Sequence, residues 1–247
     1  MSRNLVIDIG NSMVKLAIFD GSELKYLEKC PLASLIQTLS SKKYKESTGC
    51  ILSSTKNINP DLRSFLDDNY SPLIFSPSHT PIPVTNLYKS KETLGADRLA
   101  NAIGAASLCP NRNTLIIDCG TALTFDYINS NAEYLGGTIS LGLKMRFQAL
   151  NHYTDKLPML EAKEYDNTLF IGENTESSIM LGVINGIVGE IDSTIKRATL
   201  TFDNLNTIIT GGDSLFLEKK INSGIFVSRI LTLVGLNSIL NYNAKFN

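Results

Sequence analysis

Two stretches of this chain, 110 residues apart, carry the same pattern: LVIDIGNSMVKLAI (5–18) and LIIDCGTALTFDYI (115–128). They align without a gap. Leu5 meets Leu115, Val6 meets Ile116, Ile7 meets Ile117, Asp8 meets Asp118, Gly10 meets Gly120, and Asn11 meets Thr121. Apolar β-branched residues are common to any buried strand, but an Asp-x-Gly-[Asn/Thr] turn after both runs marks an internal duplication. A duplicated strand–turn–strand followed by helices and single strands predicts an α/β protein of two lobes facing each other. The 247 residues fall between one domain and two, and the repeat resolves that length into lobes at 1–112 and 113–247.

Within the first lobe, Asp20-Gly21 predicts a tight turn into a third strand. A helix-like run follows over 32–43, then a strand at 50–53. A helix starts near Pro60, with Leu62, Phe65 and Leu66 on one face, and a strand covers 72–75. Three prolines (Pro77, Pro81, Pro83) make 76–93 an extended loop, and LGADRLANAIGAASL (94–108) reads as a small-residue helix. In the second lobe strands are expected near 132–138, 206–210 and 224–227. Helices are expected near 143–153, 174–198, 213–220 and 229–242.

Charge and cysteine usage exclude several classes. With 23 Lys+Arg against 24 Asp+Glu, no global field exists to hold nucleic acid or an anionic membrane. Cys30, Cys50, Cys109 and Cys119 form no CxxC pair or zinc spacing, and read as reduced thiols. The N-terminus develops no apolar signal core, and the apolar stretch 179–188 is about half a membrane span. A cytoplasmic protein with no membrane partner is expected.

The turns carry the chemistry. A strand ending in Asp-x-Gly-Asn-Ser sets a carboxylate beside backbone N–H groups that can point at a phosphate oxygen, while the carboxylate holds a hydrated divalent cation. Lys15 on the following strand adds positive charge. One such turn is compatible with an ordinary hairpin; two, opposed across a cleft, make a phosphate clamp. The chain has no G-x-x-x-x-G-K-[ST], no G-x-G and no G-x-S-x-G, and with only His79 and His152 a histidine-based triad is not expected. Gly136-Gly137-Thr138 and Gly211-Gly212-Asp213 are expected to close strands, either against a flat ligand or as tight turns. Gly182, Gly186 and Gly189 suit close helix packing, within a lobe or between subunits.

Five motifs in order, DIGNSMVK (8–15), LGADRLANA (94–102), DCGTALTFD (118–126), YLGGTISLG (134–142) and GENTESSIMLGVINGIVGEID (172–192), followed by TGGD (210–213), resemble the type III pantothenate kinases. That family belongs to the acetate and sugar kinase, Hsp70 and actin superfamily. The resemblance spans nearly the whole chain. It implies two ribonuclease H-like (actin-like ATPase) lobes and ATP-dependent phosphorylation of pantothenate to 4'-phosphopantothenate, the first step of coenzyme A biosynthesis. By the same resemblance, Asp8, Ile9, Gly10, Asn11, Ser12, Met13, Val14 and Lys15 bind nucleotide phosphate, with Asp8 near Mg²⁺ and Thr121 on ATP. Tyr88, Gly95, Ala96, Asp97, Arg98 and Thr175 contact pantothenate, Asp97 accepts the hydroxyl proton, and Asp118 holds K⁺ or NH₄⁺. A homodimer is implied, with the substrate site near its interface. Two departures stand out: Leu141 replaces a proline of the GGxIxPG motif, and Lys89-Ser90 replaces Asn-Pro after the tyrosine. Two alternatives remain: a regulator resembling the Bvg accessory factor proteins, and a kinase acting on another small hydroxylated substrate.

Overall fold

The first copy of the motif folds as a hairpin. In the computed structural model, which describes residues 3–163, 171–221 and 223–246, β1 (Arg3–Ile9) pairs antiparallel with β2 (Val14–Asp20). β3 (Glu23–Cys30) returns along β2 after a turn in which Gly21 takes φ +60°. The apolar run at 32–43 does not make one helix. α1 (Leu35–Leu39) stops where the Ser40 hydroxyl donates back to the Ile36 carbonyl at 2.8 Å, and α2 (Lys42–Lys45) starts afresh from an extended Ser41. β4 (Gly49–Ser54) then lies parallel to β1. α3 (Pro60–Tyr70) opens on proline, whose fixed φ suits a first turn, and Asn59 caps it by accepting from the Leu62 amide at 2.8 Å. β5 (Leu73–Ile74) completes the order β3-β2-β1-β4-β5.

Alternation divides this sheet into two faces. Leu5, Ile7, Ile9, Val14, Leu16, Ile18, Cys50 and Leu52 face a core closed by Leu35, Leu39, Leu62 and Leu66. The opposite face carries Asn4, Val6 and Asp8, with register partners Lys15 and Ala17 on β2 and Ile51 and Ser53 on β4. The proline-rich loop contains a short strand, β6 (Thr85–Asn86), before α4 (Ala96–Leu108).

The second copy repeats the plan. β7 (Thr114–Cys119), β8 (Ala122–Ile128) and β9 (Glu133–Leu141) are followed by α5 (Leu143–His152), α6 (Thr175–Thr201), β10 (Asn206–Thr210), α7 (Ser214–Glu218) and β11 (Phe226–Val227). The order β9-β8-β7-β10-β11 matches that of the first sheet, and β6 pairs with the start of β9. Two ribonuclease H-like sheets are therefore present, as the resemblance implies. The gapless alignment ends at the turn: four residues separate Ile9 from Val14, but two separate Cys119 from Ala122. A shift of two keeps every side chain on its own face of the pleat.

α6 begins on a capping box between Asn174 and Ser177. Its Ile179, Val183, Ile184, Ile187, Ile191 and Ile195 enter a core with Leu115, Ile117, Leu143 and Phe147. By length and composition α6 could cross a membrane, but its buried stripe lies in this core. Gly136-Gly137 does not close a strand. It sits inside β9, where Gly136 takes φ +107° and a Cβ on Gly137 would lie 1.8 Å from the Phe125 carbonyl oxygen, so the pair lets β9 approach its neighbour's backbone.

The last helix, α8 (Leu231–Asn243), packs on α4, β1 and β4. Gly104 and Gly235 make the helix crossing close: a Cβ on Gly235 would lie 1.8 Å from the Ala100 carbonyl oxygen. Buried polar contacts complete it. Thr232 donates to Asn101 Oδ1 at 2.7 Å, and Asn4 Nδ2 donates to Asn237 and Asn241, each at 2.7 Å. The compact units are accordingly Met1–Asn111 with Ile128–Leu135 and Ile230–Asn247, and Arg112–Tyr127 with Gly136–Arg229. A division into 1–112 and 113–247 differs from these units because the chain returns to the first one for α8.

Candidate active site

In the first unit, Asp8 is buried at the end of β1, opposite Lys15, whose Nζ lies 3.8 Å from Asp8 Oδ2. Burial pushes the Asp8 carboxyl above its ordinary range; Lys15 pulls it down, and the nearby Asp97 pushes it further up. The hairpin tip closes with the Gly10 amide donating to the Met13 carbonyl at 3.2 Å, leaving Asn11, Ser12 and Met13 exposed, while Ile9 and Val14 are buried beneath. The Thr55 amide and hydroxyl donate to the Ile9 carbonyl at 3.0 and 3.2 Å, anchoring the turn.

Asp97 stands in the first turn of α4, after Gly95 at the N-cap position and Ala96. Its Oδ1 accepts from the Arg98 amide at 2.8 Å, and a Cβ on Gly95 would come within 2.7 Å of that oxygen. Gly95 therefore makes room for the carboxylate. Arg98 is buried, with its guanidinium carbon 5.5 Å from the centre of the Tyr88 ring, which in turn lies 6.1 Å from Tyr134. Asn86 Oδ1 accepts from the Tyr88 amide at 3.0 Å, and its buried Nδ2 has no hydrogen-bond partner among the described residues. Asp8, the hairpin, Lys15, Tyr88 and Gly95–Arg98 thus all belong to one unit.

The second unit holds Asp118, Thr121 and Thr175. Asp118 Oδ1 is walled by glycine backbone: a Cβ would approach it to 3.1 Å at Gly120 and 2.5 Å at Gly211. Gly211 takes φ +95°, which glycine adopts without strain. Gly142 is equally confined, since a Cβ there would lie 2.2 Å from the Thr121 carbonyl oxygen. The exposed Thr121 turn is thereby held from below. Burial pushes the Cys119 thiol well up, and Asp118 and Asp213 add to the effect; burial also raises the Asp213 carboxyl. Thr175 is exposed and lines a separate cavity of about 810 Å³ between α5 and α6, with Arg146, Ser178 and Gly182.

The residues present suit cations that bring their own water. Among the described residues no three His, Cys, Asp or Glu side chains converge on a metal position. Asp8 is one buried carboxylate facing one lysine, which suits Mg²⁺ held through few protein ligands together with phosphate. At the Asp118 turn, Asp118 and Asp213 are the carboxylates that raise the Cys119 thiol.

Part of each unit's site escaped the sequence reading. Gly142 and the Gly211 wall depend on which backbone segments meet. Ser53 and Asn86 lie in no motif, and Thr210, within TGGD, received no role of its own. Strand register is the signal that locates Ser53 beside Asp8 and Thr210 beside Asp118.

Two sheets of one strand order, each with an Asp-x-Gly turn at the end of its first strand, define the actin-like ATPase fold. Solved structures share this fold. A Baf family transcriptional activator from Campylobacter jejuni superposes with a TM-score of 0.62 at 20% identity, covering 98% of this chain and 99% of that one. A polyphosphate/ATP-glucomannokinase from Arthrobacter gives 0.52 at 14% identity, covering the whole of both chains. At these identities the likeness concerns the fold alone. The chain belongs to the type III pantothenate kinase family, whose family model matches residues 4–197. A type III pantothenate kinase of Phocaeicola vulgatus is 42% identical over 244 residues, covering 98% of this chain and 99% of that protein. One of Cytophaga hutchinsonii is 38% identical, covering 97% and 99%.

Proposed function

We propose that this chain transfers the γ-phosphoryl group of ATP to the primary hydroxyl of pantothenate, giving 4'-phosphopantothenate at the entry to coenzyme A biosynthesis. Family membership supports the reaction, and the observation that carries the site is the convergence of Asp97 and Arg98 with Asp8 in one unit. The exposed tip residues Asn11–Met13 offer backbone N–H groups to phosphate and Lys15 adds charge, and the exposed Thr121 turn offers the same chemistry in the second unit. Phosphoryl transfer depends chiefly on positioning and charge neutralisation. Mg²⁺ at Asp8 and K⁺ or NH₄⁺ at Asp118 supply further neutralisation when bound.

Arg98, buried against Tyr88, holds the pantothenate carboxylate or amide, while Gly95 and Ala96 present backbone to it. Asp97 orients the hydroxyl. A carboxylate with an ordinary pKa near 3.9 is a weak base toward an alcohol, so it accepts the proton late, as the forming O–P bond acidifies the hydroxyl. Fixing Asp97 Oδ1 on the Arg98 amide leaves its second oxygen for that role.

The protein works as a cytoplasmic homodimer in this reading. Among the described residues, apart from α6's own turns, no atom lies within 4 Å of a Cβ built at Gly182 or Gly189, which leaves these α6 glycines open to a partner helix. Gly182 lines the largely apolar α5–α6 cavity together with the exposed Thr175. Coupled ATP consumption with pantothenate, Mg²⁺ and K⁺ tests the activity. Absence of pantothenate-dependent turnover would favour a regulatory protein, and a substrate panel separates pantothenate from other hydroxylated acids. Sedimentation of wild type against Gly189→Trp tests the α6 face: a wild-type dimer weakened by the substitution is expected, and a wild-type monomer refutes it.

A further inference from the structure

Ser53 sits on β4 directly beside Asp8. The two are register partners in the parallel β1–β4 ladder, so their side chains leave the same face of the sheet. Ser53 is 1% exposed, and its hydroxyl is buried without a hydrogen-bond partner among the described residues. A buried hydroxyl left unpaired destabilises the fold. Its neighbours along that face of β4 offer it nothing: Ile51 is apolar and Gly49 has no side chain. The second unit contains the same arrangement. Thr210, 2% exposed, is the register partner of Asp118 on the parallel strand β10. Each sheet therefore places a hydroxyl residue on its fourth strand beside the aspartate of its first. Alignment of the two copies at an offset of 110 does not pair these residues.

We propose that Ser53 is a positioning residue for phosphoryl transfer, holding with Asp8 the hydration shell of the divalent cation that accompanies ATP; this rests on the role given to Asp8 above. Neighbouring strands lie about 4.8 Å apart, so a hydroxyl and a carboxylate on one face can take hydrogen bonds from the waters of one cation. Mg²⁺ suits such a site because it keeps several waters and uses few carboxylates. A serine hydroxyl accepts from one water while donating to a carboxylate or phosphate oxygen. Alanine performs neither role, and a thiol performs both weakly.

Ser53→Ala is compared with wild type on three readouts. The unliganded melting temperature should equal or exceed that of wild type, because an unpaired hydroxyl is removed. The rise in melting temperature caused by Mg²⁺ with a non-hydrolysable ATP analogue should fall to less than half. The Mg²⁺ concentration giving half-maximal turnover should rise about tenfold, the scale of outer-shell substitutions at metal sites, with KM for pantothenate unchanged. Ser53→Thr should stay near wild type on the two Mg²⁺ readouts, since it keeps the hydroxyl. Should Ser53→Ala fail to fold, Ser53→Cys against Ser53→Thr carries the test: the thiol should lose the Mg²⁺ response that threonine keeps. An unchanged Mg²⁺ response in the variants lacking the hydroxyl overturns the proposal, whatever their stability. A wild-type protein without pantothenate-dependent turnover would overturn the functional reading instead, and the thermal response to Mg²⁺ and the analogue would still decide Ser53.

Discussion

Asp97→Asn separates chemistry from folding at this site. Asparagine keeps the Oδ1 atom that accepts from the Arg98 amide at 2.8 Å and occupies nearly the same volume, while one negative charge is lost. That charge interacts favourably with the N-terminus of α4, an effect of about 0.3–1 kcal/mol. Its removal also relieves Asp8 of a like charge that raises its carboxyl. The two effects oppose, so stability should stay within about 1 kcal/mol of wild type, or about 2–4 °C in melting temperature for a chain of this length. A positioned proton acceptor contributes roughly 10²–10⁴ in rate, equivalent to about 2.7–5.4 kcal/mol at about 1.36 kcal/mol per tenfold. Against a total stability of about 5–15 kcal/mol, a loss of 1 kcal/mol leaves essentially all the protein folded. A hundredfold or greater fall in kcat therefore cannot come from unfolding. The assay is steady-state ATP consumption with saturating pantothenate, paired with calorimetric titration of ATP, whose binding should be almost unchanged. Turnover equal to wild type would refute the acceptor role. An equal loss of ATP binding and turnover would move Asp97 from the hydroxyl to the phosphates.

Asp8→Asn should leave the unliganded protein at least as stable at pH 7 and abolish turnover. A carboxyl raised above 3.8 in the folded state binds its proton more tightly there than in the unfolded chain, so stability falls as pH rises through the folded pKa. The variant's advantage in thermal melts should accordingly shrink below about pH 4, near the ordinary carboxylate pKa; an advantage that persists there contradicts the burial argument. Gly211→Ala should be severe. Its φ of +95° suits glycine, and the added methyl would lie 2.4 Å from the Cys119 carbonyl carbon. Left-handed strain of about 1–2 kcal/mol plus overpacking of about 1–3 kcal/mol gives a loss of roughly 2–5 kcal/mol, or on the order of 10 °C in melting temperature. The K⁺ response should be lost with it, because the same methyl crowds Asp118 Oδ1 at 2.5 Å. A wild-type melt and K⁺ response would show that the Asp118 wall is not needed.

Much of this architecture is legible in the chain because its signals are local. Apolar alternation writes strands, Asp20-Gly21 writes a turn, and Pro60 after Asn59 writes a helix start, each through the dihedral preferences of a few neighbouring residues. Local signals also mislead. An apparently continuous helix is split where the Ser40 hydroxyl bonds to its backbone and Ser41 turns extended, and Gly136-Gly137 marks a close approach inside β9 rather than its end.

By itself, then, the sequence determined the duplication and the two Asp-x-Gly turns that carry Asp8 and Asp118, since these follow from period and turn chemistry, while Asp97 was named by the resemblance alone. Only the tertiary structure decided what surrounds them. That α8 returns to pack on α4 and β1 depends on Gly104 meeting Gly235, and neither glycine announces the other. The glycine wall at Asp118 needs Gly120 and Gly211 to converge from distant segments. Ser53 stands beside Asp8 because β4 joins β1 in a particular register, a choice made by whole strands and recorded at no single residue.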